Sequence, residues 1–173
     1  MRLFYAITFS DEFKLKLAAL CEDLKKNSEH GHFTAFENLH LTLVFLGECN
    51  PNQFVQAKTV LDLLPAEPMI LSIDRIGCFK RNGTWWAGIT ENETLNTLYE
   101  NLTEKLFAAG FQLENRPYSP HITLAREVTT GMEPKRIKPF GEAVRCINLM
   151  QSARINGKLM YTAVYIKSMG GGL

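Results

Sequence analysis

The chain has 173 residues, 46% of them hydrophobic, and a formal net charge of +1. That is enough apolar material for one self-sufficient domain with a sizeable core. The near-neutral charge argues against a broad basic field for gripping long nucleic-acid backbones, although a local phosphate site is compatible with it. Cys21, Cys49, Cys78 and Cys146 lie far apart with no CxxC pair, which fits neither a zinc site nor a secreted disulfide framework and points to reduced thiols in a cytosolic protein.

Read in order, Leu3 to Phe9 is a strand, and Ser10-Asp11-Glu12 supplies an N-cap with acidic residues in the first turn of a helix. Acidic residues directly after a short apolar run, with no small-residue cleavage site, argue against a signal peptide. No window approaches the ~18 to 20 apolar residues of a membrane span, so a soluble protein is expected. Phe13, Leu17, Leu20, Cys21 and Leu24 recur at helical spacing. Asn27 to Gly31 ends that helix, and His32 to Phe36 leads into a strand beginning near His40. Asn50-Pro51 opens a second helix to about Leu64, ended by Pro65 and Pro68.

Met69 to Cys78 and Thr84 to Thr90 form a hairpin around Lys80-Arg81-Asn82-Gly83. Trp85 and Trp86 alternate on it, so one belongs to the core and the other can line a cleft and stack on a base. A third helix runs from about Glu93 to Ala109, with Leu95, Leu98, Leu102 and Leu106 on one face and Gly110 as its C-cap. A strand from His121 follows. Glu127 to Pro139 reads as an exposed loop whose cations Lys135, Arg136 and Lys138 are solvated. Strands near Ala143 to Ser152 and Leu159 to Lys167 meet at Asn156-Gly157, and the Gly170-Gly171-Gly172 tail is expected to be mobile.

One short pattern occurs twice. His40-Leu41-Thr42-Leu43 returns as His121-Ile122-Thr123-Leu124, each in a strand context. Residues i and i+2 of a strand share a face, so each copy presents one imidazole beside one hydroxyl. The surroundings repeat as well. Ala6-Ile7-Thr8, a helix and His40 are echoed by Gly88-Ile89-Thr90, a helix and His121, at nearly equal intervals. We therefore expect an α+β fold: two pseudo-symmetric lobes from a duplicated βαβ-type unit, antiparallel sheets around a central cleft and helices outside, all in a single domain over residues 1–173.

Two opposed imidazoles suit in-line cleavage of a phosphodiester, which needs a base beside the entering nucleophile and an acid beside the leaving oxygen. Threonine hydroxyls two residues along can donate to the non-bridging oxygens where charge builds. Near symmetry leaves open which histidine is acid and which is base. Neither a metal nor a cofactor is called for. A lone histidine on an apolar strand is usually just a hydrogen-bonded residue, and His30 and His32, near a turn, are read that way; packing alone does not explain a matched pair in two repeated contexts.

With these residues the chain resembles the two-histidine (2H) phosphoesterase superfamily, marked by two HxTx motifs in a duplicated fold. Within it the chain is most similar to the LigT/ThpR group, the RNA 2′,3′-cyclic phosphodiesterases once described as 2′-5′ RNA ligases. The likeness extends through Met1-Arg2-Leu3-Phe4, Glu37-Asn38-Leu39 before the first motif, Phe45-Leu46-Gly47-Glu48 after it, Arg116-Pro117-Tyr118-Ser119-Pro120 before the second, Ala125-Arg126 after it, and Gly157 with Tyr161. The resemblance implies hydrolysis of RNA 2′,3′-cyclic phosphate termini to 2′-phosphates without metal, with His40 as proton donor to the leaving 3′ oxygen and His121 as the acceptor that activates water. It also implies Thr42 and Thr123 as phosphate ligands, with Arg126 beside them. Strict alternation from His121 aims Arg126 away from the site unless the strand bulges or ends. Rival readings are 2′-5′ ligation or 2′-5′ phosphodiester cleavage within the same superfamily, and a nucleotide- or RNA-binding module without turnover. RNA ends or small cyclic nucleotides are the expected partners of a monomeric cytoplasmic protein with no membrane attachment.

Overall fold

A computed structural model describes residues 1–170; of the glycine tail, Gly171 and Gly172 lie outside the described residues. Its order is β1 (Arg2–Thr8), α1 (Asp11–Lys26), β2 (Ser28–Phe33), a 3-10 turn (Phe36–Asn38), β3 (His40–Glu48), α2 (Pro51–Leu63), β4 (Met69–Phe79), β5 (Thr84–Ile89), α3 (Glu93–Ala108), β6 (His121–Thr130), β7 (Lys135–Val144), β8 (Cys146–Ile155) and β9 (Lys158–Ser168). The strands form two antiparallel sheets, β3-β1-β8-β9 and β2-β6-β5-β4-β7.

Caps set the helix starts. Ser10 accepts from the Phe13 N–H, Asn92 accepts from the Leu95 N–H, and Asn50 and Gln53 form a reciprocal capping box ahead of α2. Each helix buries its apolar stripe. Phe13, Leu17, Cys21 and Leu24 of α1, Ala57, Val60 and Leu61 of α2, and Leu95, Leu98, Leu102 and Leu106 of α3 join one connected core with the inner faces of both sheets. Complete burial of one such side chain contributes ~1.5 to 3 kcal/mol, so the helices are held mainly by this packing. No helix among the described residues is long and apolar enough to cross a membrane.

On β1, Leu3, Tyr5 and Ile7 face the main core, whereas Phe4 and Ala6 join Met150 and Tyr161 in a separate small cluster on the other side of that sheet. The sheet that contains β1 thus has one face in the main core and a second face that carries this small cluster beside His40. The strand pairing repeats, but two residues out of step with the sequence echo, because Gly88 and not Thr90 takes the place of Thr8. β1 lies against β3 with Thr8 opposite His40, and β5 lies against β6 with Gly88 opposite His121.

Three expectations need correction. Ser28–Phe33 is a strand rather than a helix end and lead-in, and it pairs with β6 in the five-stranded sheet. The expected loop from Glu127 to Pro139 is mostly strand, because β6 runs to Thr130 and β7 starts at Lys135. β2 and β7 are the two edges of the five-stranded sheet; an edge strand tolerates Pro139 and polar residues on its open side, which erases the apolar alternation. Finally, the strand expected from Ala143 is divided at Arg145, with Val144 ending β7 in one sheet and Cys146 opening β8 in the other.

Candidate active site

His40 and His121 are the first residues of β3 and β6. Both are half-buried, and both are oriented the same way. The Nδ1–H of His40 donates to the Asn38 carbonyl at 2.6 Å, and that of His121 to the Ser119 carbonyl at 2.7 Å. A carbonyl only accepts, so each contact fixes the proton on Nδ1 and leaves Nε2 for chemistry. In neutral His40 that nitrogen accepts from the Thr42 hydroxyl at 2.9 Å. Thr42 and Thr123 are half-buried and share the faces of their histidines.

The two strands also share a defect. The pairing of β1 with β3 slips between Tyr5–Val44 and Ala6–Thr42, leaving Leu43 as the extra residue. That of β5 with β6 slips between Trp85–Ala125 and Trp86–Thr123, leaving Leu124. Leu43 and Val44, like Leu124 and Ala125, are consequently buried in succession. A one-residue bulge resets the alternation, so Phe45 returns to the face of His40 and Arg126 to the face of His121. The exception that would bring Arg126 to the site is thus present.

Desolvation is the leading influence on both imidazoles and pushes their pKa values below the ordinary histidine value. For His40 the Asn38 carbonyl opposes this, while Arg126, His121 and Lys14 add to the lowering. For His121 the Ser119 carbonyl opposes it, and Arg126 and Arg116 add to it. Arg126 therefore lies within electrostatic reach of both histidines, and the histidines within reach of each other.

Aromatic rings flank each imidazole. Phe4 and Tyr161 lie 5.1 and 5.0 Å from the His40 ring; Phe79 and Trp86 lie 5.2 and 6.2 Å from the His121 ring. Trp85 is in the core at 3% exposure, and Trp86 lies over Gly77, where a Cβ would collide with its ring. Phe4 and Phe79 escape a reading of the motifs because each is remote in sequence from the histidine it flanks. Asn38 is a further hidden organiser: buried, it donates from Nδ2 to the Leu159 carbonyl at 2.8 Å and accepts from the Tyr161 N–H at 3.3 Å, holding Tyr161 beside His40.

The model of the family described as LigT like Phosphoesterase matches residues 7–86 and 88–149. The chain is 30% identical to an RNA 2′,3′-cyclic phosphodiesterase of Archaeoglobus fulgidus, over 88% of this chain and 91% of that one. It is 28% identical to a protein of the same name from Geobacillus stearothermophilus, over 72% of this chain but only 41% of the relative's length. In three dimensions it is similar to E. coli LigT complexed with 3′-AMP, with a TM-score of 0.88, 25% identity and 98% of each chain covered. With its duplicated histidine strands and two antiparallel sheets, the chain belongs to the LigT-like phosphoesterases.

Proposed function

We propose that this chain hydrolyses terminal 2′,3′-cyclic phosphates of RNA to 2′-phosphate ends, with His40 and His121 as general acid and general base. The observation that carries the reading is the matched orientation of the two imidazoles: each Nδ1–H is bound to the carbonyl two residues upstream, and each side chain has a threonine two residues downstream on the same face. The substrate class is that of the relatives' names.

In this reading a water oxygen attacks phosphorus while His121 Nε2 takes its proton. The phosphorus–O3′ bond breaks in line, and the Nε2–H of protonated His40 delivers a proton to O3′. Products are a 2′-phosphate and a 3′-hydroxyl, and a proton relayed from His121 to His40 through solvent restores the enzyme. The assignment of acid to His40 and base to His121 follows the family resemblance. Hydroxyls of Thr42 and Thr123 and the Arg126 guanidinium stabilise charge on the non-bridging oxygens. The terminal nucleoside has aromatic faces to stack on, and a net charge of +1 suits a site that reads an RNA end rather than a long duplex. The proton transfers to and from the reacting oxygens are carried by side chains, so no step calls for a metal ion.

The test is turnover of an oligonucleotide ending in a 2′,3′-cyclic phosphate, in excess EDTA, with the product phosphate mapped. Wild type is expected to give 2′-phosphate, and His40→Ala and His121→Ala to lose ~100-fold or more in kcat. Undiminished turnover by either variant would overturn the assignment, and absence of turnover by the wild type would overturn the substrate.

A further inference from the structure

Away from the two motif histidines, three exposed side chains converge where β2 meets β6. Ligand atoms of His30, His32 and Glu127 all lie within 4.8 Å of one another, and among the described residues this is the one group of three or more His, Cys, Asp or Glu side chains so placed. His32 Nε2 stands 3.2 Å from a Glu127 carboxylate oxygen, and the two imidazole rings meet edge to face with centroids 5.3 Å apart.

The backbone explains the convergence. His30 and His32 are two apart on β2, and the partners of these residues on β6 are Thr129 and Arg126. Glu127 and Val128 therefore stand against Gly31 alone, in a bulge where Glu127 takes a φ of 52°. The Val128 N–H donates to the Gly83 carbonyl at 3.0 Å, fixing the bulge from the neighbouring hairpin. The carboxylate is thus delivered to the two imidazoles by the same strand that carries His121. Cross-strand pairing of His32 with Arg126 sets the group on the sheet face that bears Arg126.

We propose that His30, His32 and Glu127 bind one divalent transition-metal ion, with zinc the best match. Two imidazole nitrogens and one carboxylate suit Zn²⁺ and its neighbours Ni²⁺ and Cu²⁺, whereas Mg²⁺ and Ca²⁺ take oxygen ligands. Side-chain movements of about 1 Å bring the three atoms to the ~3.3 to 3.5 Å separations that bonds of ~2.0 to 2.2 Å impose around a tetrahedral ion. A fourth position stays open for water. The exposed His32–Glu127 contact contributes little by itself; an ion shared by both strands fastens the edge strand β2 to β6 and stabilises the folded state by mass action. This site is independent of the proposed hydrolysis, which it neither requires nor supplies.

The protein, stripped with EDTA and desalted, is titrated with Zn²⁺ by calorimetry and with Co²⁺ by visible absorption. We expect one equivalent that is weakened about 100-fold or more in the His30→Gln/His32→Gln variant and also in Glu127→Gln. Excess Zn²⁺ should raise Tm by about 5 °C in the wild type and not in the double-histidine variant, whose turnover in EDTA should equal that of the wild type. Absence of a stoichiometric equivalent, or one of unchanged affinity in the folded double-histidine variant, would overturn the proposal.

Discussion

The Tyr118 hydroxyl donates to the backbone carbonyl of Thr42 at 3.2 Å, so the segment leading into the second motif is tied to the strand of the first. The opposite tie is also made: the Thr34 hydroxyl, ahead of the first motif, donates to the Thr123 carbonyl at 2.9 Å. The pseudo-symmetry seen in the repeat thus extends to the bonds that hold β3 and β6 together, and α1 adds a third contact, with the Cys21 thiol 3.6 Å from the Leu124 carbonyl at the bulge.

Tyr118→Phe removes one of these ties while keeping the ring stacked on Tyr99, whose centroid is 4.0 Å away. Losing one such hydrogen bond costs ~0.5 to 1.5 kcal/mol, equivalent to a fall in Tm of about 2 to 5 °C for a chain of this size. Thermal unfolding measures the fall. Because Thr42 follows His40 on the same face, kcat should drop too, by less than tenfold; an unchanged Tm would show that the tie contributes nothing.

Thr42→Val and Thr123→Val keep the β-branched shape and delete the hydroxyl. If both hydroxyls stabilise charge on phosphorus, each change should lower kcat by ~100- to 1,000-fold with a smaller effect on KM. Thr→Ser at either position should restore most of the rate. Thr42 has an additional tie to His40 Nε2, so its valine variant should also displace the acidic limb of the pH–rate profile or the basic one, according to His40's role. Wild-type kcat in both valine variants would remove the threonines from the chemistry.

Burial and Arg126 both lower the histidine pKa values. A bell-shaped kcat/KM profile is governed by the free enzyme's acid and base, so its maximum should lie below pH ~6.5. Arg126→Gln removes a cation felt by both imidazoles, and the maximum should move to higher pH while kcat/KM falls. Stability follows the same sign. An imidazole whose folded pKa lies below its unfolded value of ~6.5 binds fewer protons folded than unfolded, so stability is full above that pH and declines as pH falls through ~6.5 toward the folded values. Chemical denaturation from pH 8 to 5 tests this, and His40→Ala and His121→Ala should each flatten the decline.

The histidine pair and the α+β class were legible because both rest on periodicity: period-two alternation in the motif strands, helical spacing of leucines in α3, and the duplication itself. Arg126 was ambiguous from alternation because Leu43 and Leu124 read as ordinary strand residues. The trace they leave is the adjacent aliphatic pair, Leu43-Val44 and Leu124-Ala125, at the same offset in both copies. β2 and β7 were missed since Ser-Glu-His-Gly-His-Phe and a proline-containing, lysine-rich segment carry no apolar alternation; edge strands are defined by partners remote in the sequence.

Gly77 shows how a residue outside both motifs shapes the cleft. It is opposite Trp86 on β4 and β5, Trp86 is opposite Thr123 on β6, and a Cβ at Gly77 would enter the space of the Trp86 ring. Gly77→Ala must therefore lift that ring away from its place 6.2 Å from the His121 ring. If Trp86 stacks on a base, the alanine variant should raise KM for the cyclic-phosphate oligonucleotide about tenfold or more, the loss expected when a stacking contact of ~1 to 3 kcal/mol is removed. Trp86→Ala should do the same. Combined, the two changes should cost scarcely more than one, because both act through the same ring and a double-mutant cycle registers that dependence. Additive losses would mean that Gly77 acts elsewhere, and an unchanged KM in Trp86→Ala would assign base stacking to the Phe4–Tyr161 side of the cleft.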